Sequence, residues 1–172
     1  MKQLETKISP EKAAQIMKEP SNFLMKKRNI EHTELVYLPY YLYEVAVIFK
    51  NMSTMKKHIG VDCIDGEYAF LHDINILLNA SNNIEYGNKI YIDEKQSEQI
   101  AQKAVKDIIL MRMKKGIQIV KIETKLLQMI NYPYWIGLYR KKRRIEFDAI
   151  DALSGKKQGV KMRPVLLKKI IQ

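Results

Sequence analysis

Helical spacing of apolar positions occurs twice along the chain, and after each occurrence the pattern shifts to the period-two alternation of strands. In "SPEKAAQIMKE", Ser9 suits an N-cap, Pro10 the first helical position, and Ala13, Ala14 and Met17 one face, before Pro20 ends the segment. In "DEKQSEQIAQKAVKDIILMRMKKG", Asp93 and Gln96 have capping-box spacing. Ile100, Ala104, Val105, Ile108 and Met111 recur at helical intervals, and Gly116 follows Lys114 and Lys115. Each helix is followed by segments rich in β-branched and aromatic residues. In "YLPYYLYEVAV", Tyr41, Tyr43 and Val45 are expected on one face of a strand, and Tyr40, Leu42 and Glu44 on the other.

The strand-rich segments echo each other. "LVYLPYYLYEVAV" is matched by "MINYPYWIGLYRK", with Pro39 aligned to Pro133, Tyr40 to Tyr134 and Tyr41 to Trp135; "VDCIDG" is matched by "IDALSG", with Asp62 aligned to Asp151 and Gly66 to Gly155. Both anchors come in the same order, and a difference in loop length, "KNMSTMKKH" against "RKKRR", accounts for their unequal separation. These patterns predict an α+β fold of two similar units, each a helix packed on an antiparallel sheet of about three strands. The first unit is expected over residues 1–75 and the second, basic one over 93–172, with an Asn-rich connection over 76–92. Because proline lacks an amide proton, Pro39 and Pro133 are expected where a strand enters its sheet.

The short motif of apolar residue, Asp and turn Gly after a "YEVAV"-type strand resembles the PepSY-like domains over about residues 35–71 and 130–160. That resemblance implies one helix on a three-stranded antiparallel sheet, and a role in binding or inhibiting peptidases or as an accessory interaction module. Such domains usually lie outside the cytoplasm. The opening "MKQLETKISPEKAAQ" has no apolar export segment, so the resemblance bears on fold and on a binding role, and it carries over no catalytic residue.

Composition sharpens the picture mainly through charge. The 172 residues are 47% apolar, enough for a real core, and carry a formal charge of +11. Residues 1–92 hold 11 basic and 11 acidic groups, whereas residues 93–172 hold 19 and 8, so the second half carries the whole excess. A clustered field of this kind suits an anionic partner. The sharpest run is Arg140, Lys141, Lys142, Arg143 and Arg144, flanked by Tyr139 and Phe147, with Lys156, Lys157, Lys161 and Arg163 following. These residues are the candidate anion-binding set, and Tyr40, Tyr43, Tyr134 and Tyr139 are the candidate partner-binding aromatics.

No pattern advertises catalysis. His32, His58 and His72 show no metal-ligand spacing, and a site combining His58 or His72 with Asp62, Asp65 or Asp73 would need a hairpin to assemble it. Asp62 and Asp151 each precede a turn glycine, where a carboxylate serves the backbone. Cys63, the one cysteine, aligns with Ala152 as a small buried side chain, and a lone thiol suits a reducing compartment. Glycine-rich phosphate loops are missing. The sequence therefore predicts a cytoplasmic chain without a membrane span, cofactor, metal or catalytic residue, binding a protein or peptide. The alternative is electrostatic binding of nucleic acid or another polyanion, and an enzyme of unrecognised mechanism comes third.

Overall fold

The computed structural model describes residues 2–19, 27–71, 82–83, 90–112, 118–159 and 162–170. Its elements are β1 (Lys2–Gln3), α1 (Pro10–Lys18), β2 (Ile30–Phe49), β3 (Thr54–Asp62), β4 (Tyr68–Leu71), β5 (Asn82–Asn83), α2 (Glu94–Arg112), β6 (Ile119–Lys141), β7 (Arg144–Asp151) and α3 (Met162–Ile170). Both expected helices start where their caps place them. Ser9 accepts from the amide of Lys12 at 3.3 Å. Asp93 accepts from the amide of Gln96 at 2.7 Å, while the Gln96 side chain accepts from the amide of Asp93 at 3.1 Å. The buried face of α2 is rotated from the expected one: Ser97, Ala101, Ala104, Val105 and Ile109 point inward, and Met111 is 84% exposed.

The expected pair of units, each with its own three-stranded antiparallel sheet, is not what forms. About half of the described residues are strand and about a quarter helix. The strands make one mixed seven-stranded sheet in the order β4-β3-β2-β6-β1-β5, with β7 also paired to β6. β1 joins β6 in parallel, Lys2 opposite Ile130, whereas β1 with β5, β2 with β3, β3 with β4 and β6 with β7 pair antiparallel. The physical cause is the length of β2 and β6, 20 and 23 residues, which run far past any single helix. Both prolines lie inside these strands. Each marks the end of a ladder: the β2–β3 register begins at Tyr40 opposite Asp62, and the β6–β7 register at Tyr134 opposite Asp151.

By contacts the chain divides into two compact units, Met1–Leu4 with Pro39–Asn131, and Glu5–Leu38 with Tyr132–Gln172. In the first, α2 covers Tyr41, Tyr43, Val45, Val47 and Phe49 of β2 and Ile59 and Val61 of β3. In the second, Ala13 and Met17 of α1 pack with Ile8, Trp135, Ile150 and Ala152. The fully buried partners of each helix thus come mainly from strands other than the one that follows it, which adds partly buried residues: Ile30 and Leu35 of β2 for α1, and Ile119, Ile122, Leu126 and Met129 of β6 for α2. Gly137 permits this docking, since a Cβ there would lie 2.8 Å from the Met17 sulfur.

The core of the second unit yields a stability prediction. Trp135 is 8% exposed and its indole N–H donates to the carbonyl of Ile8 at 2.8 Å. Trp135→Ala should cost about 3 to 5 kcal/mol in urea unfolding. A loss below about 1 kcal/mol would show that α1 is not held by this contact.

Candidate functional site

The two aspartates belong to turns of the same construction. Asp62 accepts from the amides of Ile64 (2.7 Å), Asp65 (3.2 Å) and Glu67 (3.1 Å). Asp151 accepts from those of Leu153 (2.8 Å) and Ser154 (3.0 Å), and from the Tyr132 hydroxyl at 2.8 Å. Gly66 and Gly155 each take φ of 74°, and each donates to the carbonyl of its aspartate. The amides of Cys63 and Ala152 donate to the carbonyls of Pro39 and Pro133, at 2.9 and 3.1 Å. Burial raises the pKa of Asp62 despite its three amide donors. Burial, and then the Asp62 charge, pushes the Cys63 thiol up to about 12, which suits an inert core thiol.

His58 lies beside Glu44, at 3.4 Å, and His32 is exposed. His72 and Asp73 lie outside the described residues. Among the described residues, no group of three or more His, Cys, Asp or Glu side chains could hold a metal ion. No helix among them is long and apolar enough to cross a membrane.

The four candidate tyrosines are buried, with exposures of 9% (Tyr40), 1% (Tyr43), 7% (Tyr134) and 6% (Tyr139). Tyr43 shares a 2.5 Å hydrogen bond with Ser97 and donates to the carbonyl of Glu94 at 3.1 Å. The Tyr139 hydroxyl donates to Glu146 at 3.4 Å, and the Arg28 guanidinium lies 5.3 Å over its ring. As folded, these rings pack inward and offer no aromatic platform.

The basic candidates divide by position. Arg140 to Arg144 form the exposed tip of the β6–β7 hairpin, with Lys142 at φ 57° in its two-residue loop. Arg140 approaches Glu31 only at 3.9 Å and Lys141 approaches Glu146 at 3.8 Å, so the tip keeps most of its field. Lys156 is exposed, and Lys161 lies outside the described residues. Lys157 donates to the carbonyl of Glu19; burial, then the Arg28 charge, lowers its pKa. Arg163, on the first turn of α3, joins the hairpin: it stacks 4.9 Å over Phe147 and lies 3.7 Å from Glu146. Arg28 escaped the sequence reading because it belongs to the neutral half. The fold sets it in the second unit, ion-paired with Asp148.

Beside these groups lies a cleft of about 300 Å³ lined by Phe147, Asp148, Ala149, Gln158, Gly159, Arg163 and Leu166. Phe147 and Ala149 point to one face of β7 and Asp148 to the other, so the cleft follows the strand's outer edge. The Lys141–Arg144 pair closes a two-residue loop, which directs the backbone groups of Arg144, Glu146, Asp148 and Ile150 at β6. Those of residues 145, 147, 149 and 151 face outward. At the far end they are used: Ala149 accepts from Gln158 at 2.8 Å and Asp151 donates to Lys156 at 2.9 Å. Among the described residues, no backbone bond engages the outward groups of Ile145 and Phe147. The first unit has a larger open depression, over Glu44, Ala46, Thr54 and Lys125, but charges of both signs line it and pair there, as Lys56 does with Glu44 at 3.0 Å.

No family model, curated protein or solved structure matches this chain.

The Tyr43 hydroxyl makes alkaline stability a test of the aromatic core. Burial pushes its pKa from 10.0 up to about 12, against the smaller opposing effect of the Ser97 hydrogen bond. A raised folded pKa means the stabilisation is complete below pH 10 and is lost as pH rises from 10 to about 12. Tyr43 alone should therefore contribute a fall of about 2 to 3 kcal/mol in unfolding free energy across that window, on top of the other groups that burial raises, and Tyr43→Phe should fall less steeply by that amount. Equal slopes in urea titrations of both proteins would show that Tyr43 ionises freely in the folded state.

Proposed function

We propose that this protein is a non-catalytic binding module that takes an extended protein or peptide segment on the outer edge of β7. The observation that carries the reading is the open stretch of edge at Ile145 and Phe147, flanked by a cleft and ending where Gln158 already pairs with Ala149. An incoming strand would continue a pairing that the 156–158 segment has begun, gaining main-chain hydrogen bonds from the edge and side-chain contacts from the cleft. Ile145, 70% exposed, supplies an apolar contact beside it. A binding role also accords with the resemblance to PepSY-like interaction modules. The turn aspartates, committed to backbone amides, and the buried Cys63 contribute nothing to this role beyond architecture.

A second reading, polyanion binding at Arg140 to Arg144, is favoured by one observation: these side chains are exposed and their ion pairs are loose. Nuclear magnetic resonance separates the two. A peptide selected from a displayed random library should shift the amides of Ile145 and Phe147. Ile145→Pro, which removes both an outward-facing amide and the exposed isoleucine side chain, should weaken it by about tenfold while leaving the thermal melt nearly unchanged. A peptide that binds without shifting these amides, with Ile145→Pro neutral, would overturn the edge reading. A single-stranded oligonucleotide that shifts residues 140–144 instead, with steep salt dependence, would install the second.

A further inference from the structure

The charges around the β7 edge specify the chemistry of the segment it receives. On the face of β7 shared with Tyr139 stand Arg144, Glu146 and Asp148, with Lys141 at 3.8 Å from Glu146 and Arg28 paired to Asp148. Lys157 lies close enough to Arg28 for that charge to lower its pKa. With Glu19 beside Lys157, the four cations Arg28, Lys141, Arg144 and Lys157 stand against three carboxylates, Glu19, Glu146 and Asp148, and Arg144 is the cation in excess. On the opposite face stand Ile145, which is exposed, and Phe147, which is buried beneath Arg163.

Arg163 touches both faces. Its guanidinium stacks over Phe147 and approaches Glu146, side chains on opposite faces of the strand. The 3.7 Å separation from Glu146 exceeds hydrogen-bonding distance, which leaves its planar donors available to a better-placed carboxylate.

Resting on the edge-binding reading above, we infer that the β7 edge takes an acidic extended segment in which carboxylate and apolar side chains alternate. Its carboxylates lie on the face of Arg144 and meet that residue and Arg163. Its apolar side chains lie beside Ile145 and Phe147. Period-two alternation follows from strand geometry, because neighbours on an added strand point to opposite faces. The occupant is a segment of another protein, since this chain's own acidic groups are sparse in the basic half and are engaged here as ion-pair partners.

The inference is tested with capped, fluorescein-labelled eight-residue peptides: alternating Glu and Val, alternating Gln and Val, alternating Lys and Val, and octaglutamate. Fluorescence anisotropy with the full chain at low salt should rank Glu-Val first, about tenfold tighter than Gln-Val and octaglutamate, with Lys-Val weakest. The double variant Arg144→Glu, Arg163→Glu, its fold checked by an unchanged thermal melt, should lose about tenfold for Glu-Val and gain for Lys-Val, since both side chains are solvent-accessible, and a variant that melts early is replaced by Arg144→Glu alone with the same ranking expected. Equal binding of Gln-Val would overturn the charge assignment while leaving the edge reading standing. Equal binding of octaglutamate would overturn the alternation and favour a plain polyanion surface. Failure of all four peptides would overturn this inference alone if the library-selected peptide still shifts Ile145 and Phe147, and both readings if it does not.

Discussion

The indole of Trp135 reaches the carbonyl of Ile8 across 127 positions of sequence, and much of the second unit depends on the docking that this bond marks. Helix α1 cannot bury Ala13 and Met17 until β6 and β7, near the other end of the chain, have formed the surface that receives them. The same holds in milder form for α2, whose apolar face waits for the 41–49 and 59–63 segments already behind it. Long-range closure of this kind makes folding slow relative to a chain whose helices cover their own neighbours. It also makes the fold cooperative, because neither helix has enough apolar surface to persist alone.

The two aspartate turns are the fixed points on which those helices close. A residue with a side chain at Gly66 would press a Cβ to within 2.8 Å of Ile100 on α2, and one at Gly155 to within 3.3 Å of Ile16 on α1. Each turn glycine is therefore needed twice, once for its positive φ and once for the approach of a helix. The amides of Tyr91 and Ile92 donate to the carbonyl of Cys63, and those of Lys7 and Ile8 to that of Ala152. The segment leading into each helix is thus bonded to the turn that the helix covers. A turn carboxylate with multiple amide donors stands at both places, buried at Asp62 and half-buried at Asp151, which fits a role in fixing helix position.

What could be read from the sequence was what local chemistry decides. Ser9 and Asp93 cap their helices, Gly66 and Gly155 sit in turns, and Tyr41, Tyr43 and Val45 share one face of a strand, though that a helix covers this face and not the other was not legible. The partner of each helix was not legible, because an apolar face carries no label saying which sheet it will meet. Strand length was misread at Pro39 and Pro133 for a related reason. Proline lacks one donor, but it stops a strand only where that donor would face a neighbour, and here β3 and β7 end their ladders one residue away. Arg28 was invisible as a member of the basic cluster because charge counted along the chain says nothing of charge assembled in space. The edge of β7 was equally hidden, since which strand lies outermost is a property of topology.

An exposed edge with an apolar side chain such as Ile145 is a hazard, since a second copy could pair with it. The cation nearest that stretch opposes such pairing: two copies meeting antiparallel along it would bring their Arg163 side chains, each beside Glu146 and Phe147, toward each other. An acidic strand meets the same groups with the opposite sign. On the edge-binding reading proposed above, the one charge distribution would disfavour self-pairing and favour an acidic partner at the stretch of β7 whose outward backbone groups are open among the described residues. The surface depression of the first unit differs in kind, since charges of both signs line it and pair with each other, Lys56 with Glu44 at 3.0 Å among them, and so leave little net field for a charged segment.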